Sequence, residues 1–280
     1  MLHVGTDEAG YGPVLGPLVI AGAVYETEGA RVPRGDRRVR DSKVVYRRGG
    51  RDALAEVLGP FLDLDAPVTL STLLQRLSVA GDPRGAYAWY GDVSDPVPQP
   101  GRVPRSFRRI LVNPVCERAF NRGSRGPGGK AGLLFVETMR IVKRALDSAP
   151  GHDADVVCDK HGGRNAYAAL LMQEFGPSTL IAEREGAPLS SYRMECRGRR
   201  IRIRFVRRGE DADAAVALAS MAAKYVRELF MEGLNRFFAS RVEGLDPTAG
   251  YYKDGRRFLG EVEPVLERMR IRRDEFARRC

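Results

Sequence analysis

The chain has 280 residues, 43% hydrophobic and 29% charged, and 46 Lys plus Arg against 36 Asp plus Glu leave a formal net charge of +10. That composition excludes an acidic disordered tail and belongs to a globular protein long enough to bury a substantial core. The longest uncharged apolar stretch, residues 14–25, is about half the ~20 residues a spanning helix needs and contains Pro17, so no membrane span is expected.

The first segment, residues 2–25, predicts a core hairpin: a strand, a Gly-rich turn and a second strand rich in Val, Ile and Ala. A charged connection over 26–40 leads through Asp41-Ser42-Lys43 to a helix expected around 51–61. Residues 67–112 change texture, with a short amphipathic helix over 70–77 and five prolines between Pro83 and Pro104, and predict an inserted lobe or lid. Its aromatic trio Tyr87, Trp89 and Tyr90 reads either as a hydrophobic mini-core or as a platform for stacked bases. Beyond it, apolar spacing predicts a helix over 131–146, a buried strand over 155–159 and a helix over 165–175. Two strand-like pieces, 192–196 and 201–206, flank Arg197-Gly-Arg-Arg200, and the second alternates so that Arg202 and Arg204 share one face: a hybrid-binding rim or a soluble sheet surface. A Gly- and Pro-free, Ala-rich stretch over 211–230 predicts a long helix, and 256–280 a basic helical tail. Alternating strands and helices argue for an α/β fold, one domain carrying an insertion.

The N-terminus has no basic n-region and meets Asp7 and Glu8 at once, unlike a cleavable signal, so a cytoplasmic location is expected. Cys116, Cys158, Cys196 and Cys280 are far apart, with no Cys-x-x-Cys pair, and predict neither a zinc site nor a disulfide framework. Of the 46 basic residues 40 are Arg, the side chain that forks onto phosphate, although an Arg excess is equally a mark of a GC-rich genome.

Three acidic positions stand where strands end or helices begin. Asp7-Glu8 closes the first strand before a Gly-Tyr-Gly turn, and two adjacent acids are unfavourable unless cations neutralise them. Asp159 ends a strand, where open α/β sheets place their sites, though it would serve equally as a helix cap. Glu210, Asp211 and Asp213 precede the Ala-rich helix, where the helix dipole favours acids without any metal. Hard carboxylate oxygens without a His or Cys cluster, in basic surroundings, are the donor set for Mg²⁺ or Mn²⁺ acting on a phosphodiester.

Here a resemblance becomes specific. The segment from Gly5 to Ile20 resembles the signature of the type 2 ribonucleases H, Asp-Glu-Ala-Gly-Arg-Gly-Pro followed by a Gly-Pro-hydrophobic strand. Asp41-Ser42-Lys43 resembles the family's Asp-Ser-Lys element, and Val156–Asp159 falls where its third acid ends a strand. Ala219-Ser220-Met-Ala-Ala-Lys224 resembles its Ala-Ser-Ile-x-Ala-Lys helix, and Gly250-Tyr251-Tyr-Lys-Asp254 a Gly-Tyr-x-x-Asp element. The family's fourth acid lies ten residues before the helix serine, which lands on Glu210 and is similar to the type 3 branch, while Asp211 and Asp213 stay open as competitors.

The resemblance implies a ribonuclease H-like fold, a mixed sheet flanked by helices, and hydrolysis of the RNA strand of an RNA/DNA hybrid to 3′-hydroxyl and 5′-phosphate ends. It further implies Asp7, Glu8, Asp159 and Glu210 as holders of two Mg²⁺ or Mn²⁺ ions, with Gly10, Tyr11 and Gly12 presenting main chain to the 2′-hydroxyl. Lys43, Lys160, Arg164 and Lys224 are the cations expected near phosphates, and Tyr251 the ring expected against the strand. Each has an ordinary alternative: a solvated charge, an intrahelical ion pair, or core packing. His161 reads as a proton shuttle or an exposed loop residue. The partner is nucleic acid rather than membrane, and a monomer is expected. Tyr11 stands where the family carries Arg, and Lys160 where it carries Gly, so substrate choice is open to a shift. The rivals are a nuclease of the same fold acting on another nucleic acid, and a non-catalytic binding protein descended from such enzymes.

Overall fold

A computed structural model describes residues 1–28, 39, 41–62, 68–95, 101–176 and 179–279. The parts of the predicted connection at 29–38 and residue 40, of the insertion at 67 and 96–100, and Cys280 lie outside the described residues.

Strands β1 (Leu2–Ala9) and β2 (Leu18–Glu26) form the antiparallel hairpin read from the sequence. Two-residue strands β3 (Val68–Thr69) and β4 (Ser94–Asp95) pair with each other, and β5 (Phe107–Val115) pairs with β2. Then follow β6 (Ala154–Asp159), β7 (Thr179–Arg184), β8 (Leu189–Cys196) and β9 (Arg199–Val206). The seven-stranded sheet has the order β5-β2-β1-β6-β9-β8-β7, with β1, β6 and β9 parallel and the other pairs antiparallel. The helices are α1 (Ser42–Leu62), α2 (Leu70–Leu77), α3 (Glu117–Gly123), α4 (Gly129–Asp147), α5 (Ala168–Phe175), α6 (Gly209–Ala212), α7 (Ala214–Ala239), α8 (Tyr252–Arg268) and α9 (Arg273–Phe276).

Strand β2 shows why two layers of helix are needed. Its residues alternate, and both sets are apolar: Leu18, Ile20 and Val24 join the core under α4, while Val19, Ala21 and Ala23 join the core under α7. Small residues mark the closest approaches. A Cβ on Gly5 would lie 2.3 Å from the Ala215 backbone of α7, and one on Gly22 would lie 2.4 Å from Ile141 of α4. The parallel β1–β6 pair, in register at Thr6 and Cys158, brings the following residues Asp7 and Asp159 to the same end of the sheet. No helix among the described residues is long and apolar enough to cross a membrane.

The structure differs from the expected elements at several points. Helix α1 starts nine residues early but breaks at Gly49–Gly50, where Gly50 has φ +62°, so its second half is the helix predicted over 51–61. Residues 107–112, counted with the insertion from the sequence, belong to β5 at the sheet edge; Pro114 and the paired arginines had hidden a strand that only an edge tolerates. The Ala-rich helix is interrupted at Asp213, which caps α7 through the Ala215 and Val216 N–H groups.

The aromatic trio is core. Trp89 meets Phe276 edge-on at 5.2 Å and Tyr90 meets Phe230 at 4.9 Å, and all three rings are buried, so none is available for base stacking. Tyr90 donates to the buried Glu117, and Tyr225 of α7 donates to Asp95 at 2.7 Å, fixing the insertion to the main body. Replacing Trp89 with Ala should therefore lower stability by about 3–5 kcal/mol, the loss typical of a buried aromatic. Urea unfolding followed by circular dichroism checks this, and a variant within about 1 kcal/mol of wild type would show that the trio does not pin the insertion.

Candidate metal centre

One carboxylate oxygen from each of Asp7, Glu8 and Asp159 lies within 4.8 Å of the others, and among the described residues no other group of three His, Cys, Asp or Glu comes together this closely. Asp7 and Glu8 are consecutive in β1 and would point apart in a regular strand. The strand is about to end, however, and Gly10 follows with φ +85°, while the Asp7 carboxylate folds back to accept the Glu8 N–H at 2.8 Å. Asp159 closes β6 and accepts the Gly209 N–H at 2.8 Å.

These three acids line a cavity of about 190 Å³ together with Gly10, Lys43, Glu210, Lys224 and Tyr251. Of the three competing acids before α7, Glu210 lines it and the other two are engaged elsewhere. Asp211 pairs at the surface with Arg208 at 2.8 Å, and Asp213 accepts from His3 at 2.9 Å besides capping α7. Burial opposes the charge on His3, but Asp155 and Asp213 on either side outweigh it and raise its pKa to about 9.

Electrostatically the acids resist being together. Burial and the Asp159 charge push the Asp7 carboxyl up to about 7, against hydrogen bonds from Ser220 and the Glu8 N–H. Glu8 rises well above its ordinary value through burial and the charges of Asp7, Asp159 and Glu210, with Lys43 acting in the opposite sense. Asp159 is raised too, by burial first and then by Glu210. Oxygen-only donors that repel one another in this way suit a hard divalent cation, whose charge would remove the repulsion.

The other predicted residues divide. Lys224 bonds Glu228 at 2.7 Å and lies over the Tyr46 ring at 4.1 Å, its ammonium kept beside the cavity. Tyr251 is 55% exposed at the rim. Tyr11 and Gly12 do not line the cavity; the Tyr11 ring carries the Lys130 ammonium at 4.4 Å, and around Gly12 no atom lies within 4 Å of a built Cβ. Arg164 does not line it either and sits over the Tyr167 ring at 6.0 Å.

Three expectations are corrected. Lys160 is no surface cation: it is buried, and its ammonium donates to the carbonyls of Arg164 and Gly186 and to Asn165. His161 is not an exposed loop residue. It is enclosed by Phe135, Tyr167 and Phe205, and burial lowers its pKa to about 3, so it stays neutral. Arg202 and Arg204 are not a free basic face, because Glu183 and Asp155 hold them at 3.1 and 2.6 Å.

Two features went unread in the sequence. Ser42 and Ser220, inside the quoted motifs, bond each other at 3.0 Å, and Ser220 also donates to Asp7. Arg227, 1% exposed, lines the cavity and lies one helical turn below Lys224. A Cβ on Gly10 would lie 2.4 Å from its Nε, and Gly16 and Gly250, also at positive φ, face its Nη2. Two loops, the β1–β2 turn and the segment before α8, thus close on one guanidinium, which donates to the Leu15 and Ala249 carbonyls. Only its place on the Lys224 face of the helix could have flagged it.

No protein-family model matches the sequence, and no curated protein does. Among solved structures, the chain is similar to that of the PCNA:RNase HII complex from Archaeoglobus fulgidus, with a TM-score of 0.53 and 19% identity over 99% of this chain and 93% of that one. It is also similar to ribonuclease H2 from Pyrococcus horikoshii OT3, with a TM-score of 0.52 and 16% identity over 99% of this chain and 92% of that one. The seven-stranded mixed sheet flanked by helices is the ribonuclease H-like fold, in the form these two enzymes share.

Proposed function

We propose that the chain is a divalent-metal-dependent endonuclease of the type 2 ribonuclease H group, cutting the RNA strand of RNA/DNA hybrids to leave 3′-hydroxyl and 5′-phosphate ends. The observation that carries this is the convergence of Asp7, Glu8 and Asp159, about 150 residues apart in sequence, on one cavity that Glu210 also lines. The fold supports it, since the two similar structures are ribonucleases HII and H2.

In this proposal Asp7, Glu8, Asp159 and Glu210 hold the cations. When bound, two Mg²⁺ or Mn²⁺ ions supply an activated water and charge stabilisation at the leaving oxygen. Asp7 and Asp159 are kept oriented by the Ser220 hydroxyl and by the Glu8 and Gly209 N–H groups. Lys43 and Lys224, lining the same cavity, offset the negative charge of the incoming phosphodiester. Gly10 presents bare main chain to the sugar, held in place by Arg227, with Gly12 beyond it, and the exposed Tyr251 ring offers a surface for the strand. The second reading, a same-fold nuclease with another nucleic-acid substrate, is favoured by one observation. Tyr11 replaces the family's Arg and its ring is covered by Lys130.

Asp7→Asn should lower Mg²⁺-dependent hybrid cleavage by more than about a hundredfold, equivalent to the few kcal/mol of charge stabilisation a metal supplies. Full activity in that variant would overturn the assignment. Parallel assays on an RNA/DNA hybrid, DNA holding one ribonucleotide, and plain DNA should show cleavage of the hybrid, with the singly substituted DNA the poorer substrate; preference for plain DNA would select the second reading.

Metal-free stability provides a test independent of turnover. A carboxyl whose pKa is raised on folding contributes stability that is fully present below its unfolded value near 3.8 and lost as pH rises through about 7. Without metal, the melting temperature should fall across that window, and less steeply in Asp7→Asn. Above pH 7, Mg²⁺ should raise the melting temperature of wild type more than that of the variant. Equal responses of the two proteins to Mg²⁺, or calorimetry showing no metal binding, would favour a non-catalytic descendant.

A further inference from the structure

The carboxylate cavity continues into a second one of about 430 Å³, and Lys43, Asp159 and Glu210 line both. Beyond those three residues its walls are Lys160, the Gly162–Gly163 turn, Asn165, Ala187 and the consecutive Arg207 and Arg208.

These walls are tied together. The buried Lys160 ammonium joins the turn after β6 to the turn before β8, donating to Arg164 O at 3.1 Å, Asn165 Oδ1 at 2.8 Å and Gly186 O at 2.7 Å. The Arg207 N–H donates to the Pro188 carbonyl at 3.0 Å, joining the end of β9 to that same turn. Around Gly162 and Gly163 nothing lies within 4 Å of a built Cβ, so their main chain is bare toward the cavity.

Lys43, Asp159 and Glu210 stand where the two cavities meet, and the exposed Arg207 and Arg208 add positive charge to the lining of the second. Arg208 is paired with Asp211, but the two side chains are 73% and 49% exposed, and a surface pair of that kind contributes about 0–1 kcal/mol. A phosphate would displace it at little cost and gain a forked, charge-assisted contact.

Building on the nuclease reading above, we propose that Arg207 and Arg208 form a phosphate-anchoring subsite. The strand to be cut runs from the carboxylates into this second cavity, and a phosphodiester remote from the reacting one is held by the two guanidinium groups. The contact is to backbone phosphate, so it is independent of base sequence, and it acts on binding rather than on the bond-breaking step.

The test uses the full chain and a fluorescein-labelled RNA/DNA hybrid. Arg207→Gln/Arg208→Gln should raise KM for the hybrid roughly tenfold at low salt with kcat within about twofold, and weaken hybrid binding measured by anisotropy in EDTA. The slope of log Kd against log salt should fall by about 2, near 0.9 for each lost phosphate contact. Arg207→Lys/Arg208→Lys keeps the charges and should retain most of that slope, which separates lost contacts from a disturbed turn. Unchanged KM and slope in the Gln variant, or a loss confined to kcat, would overturn the subsite. If wild type cleaves no nucleic acid yet the Gln variant loses hybrid affinity with the reduced slope, the nuclease reading fails and the subsite stands.

Discussion

Mutual repulsion among carboxylates is the constraint around which the molecule is arranged. Asp7, Glu8 and Asp159 meet with oxygens within 4.8 Å, and Glu210 adds its field to all three. Each of the strongest packing choices nearby serves that meeting. The parallel pairing of β1 with β6 sets Asp7 level with Asp159, and Gly5 lets α7 approach until the Ala215 backbone would touch a methyl group. That approach brings Ser220 to Asp7 and Ser42 to Ser220, so polar groups from two helices steady an acid that its neighbours repel. The offset is partial, since the carboxyls remain raised, and a divalent cation is what such a set lacks energetically.

Much of this was legible in the sequence because strand ends and helix starts carry local signals. The β1–β2 hairpin, α2, α4 and β6 follow from apolar periodicity, and the acids follow from standing at those ends. What was not legible depends on partners far away in the chain. Nothing local to a loop histidine tells that Phe135, Tyr167 and Phe205 will close over His161, and nothing around Lys160 tells that the Gly186 carbonyl will be there to receive it. Strand β5 was hidden because Pro114 and two arginines mimic an irregular segment, which an edge strand can afford to be. Arg227 carried no motif of its own; its role lies in three glycines, at 10 and 16 in one loop and 250 in another, converging on it.

The arginine excess shows how little a count says about where charge acts. Arg200, Arg202 and Arg204 alternate along β9 as a basic stripe, yet Asp153, Glu183 and Asp155 answer them one by one. The Asp155 end of that stripe continues inward to His3 and Asp213, a buried chain of alternating charge that fixes the start of α7. The part-buried Arg204–Asp155 pair steadies the scaffold, while the Arg200 and Arg202 pairs lie at the surface and contribute little. Among the described residues, the cations lining the carboxylate cavity are Lys43, Lys224 and the buried Arg227, and Lys160, Arg207 and Arg208 line its neighbour.

Of the consecutive Arg207 and Arg208, the second has an unfavourable backbone conformation. Arg208 sits at φ +56°, a left-handed conformation that costs a side-chain-bearing residue about 1–2 kcal/mol and that Gly would adopt freely. The turn it makes reverses the chain at the end of β9, so that the Gly209 N–H reaches Asp159 and Glu210 enters the first turn of α6 facing the cavity. Glycine at 208 would make the same turn more cheaply, and glycine does follow at 209. The strained turn thus carries both the N–H that holds Asp159 and a guanidinium that lines the neighbouring cavity.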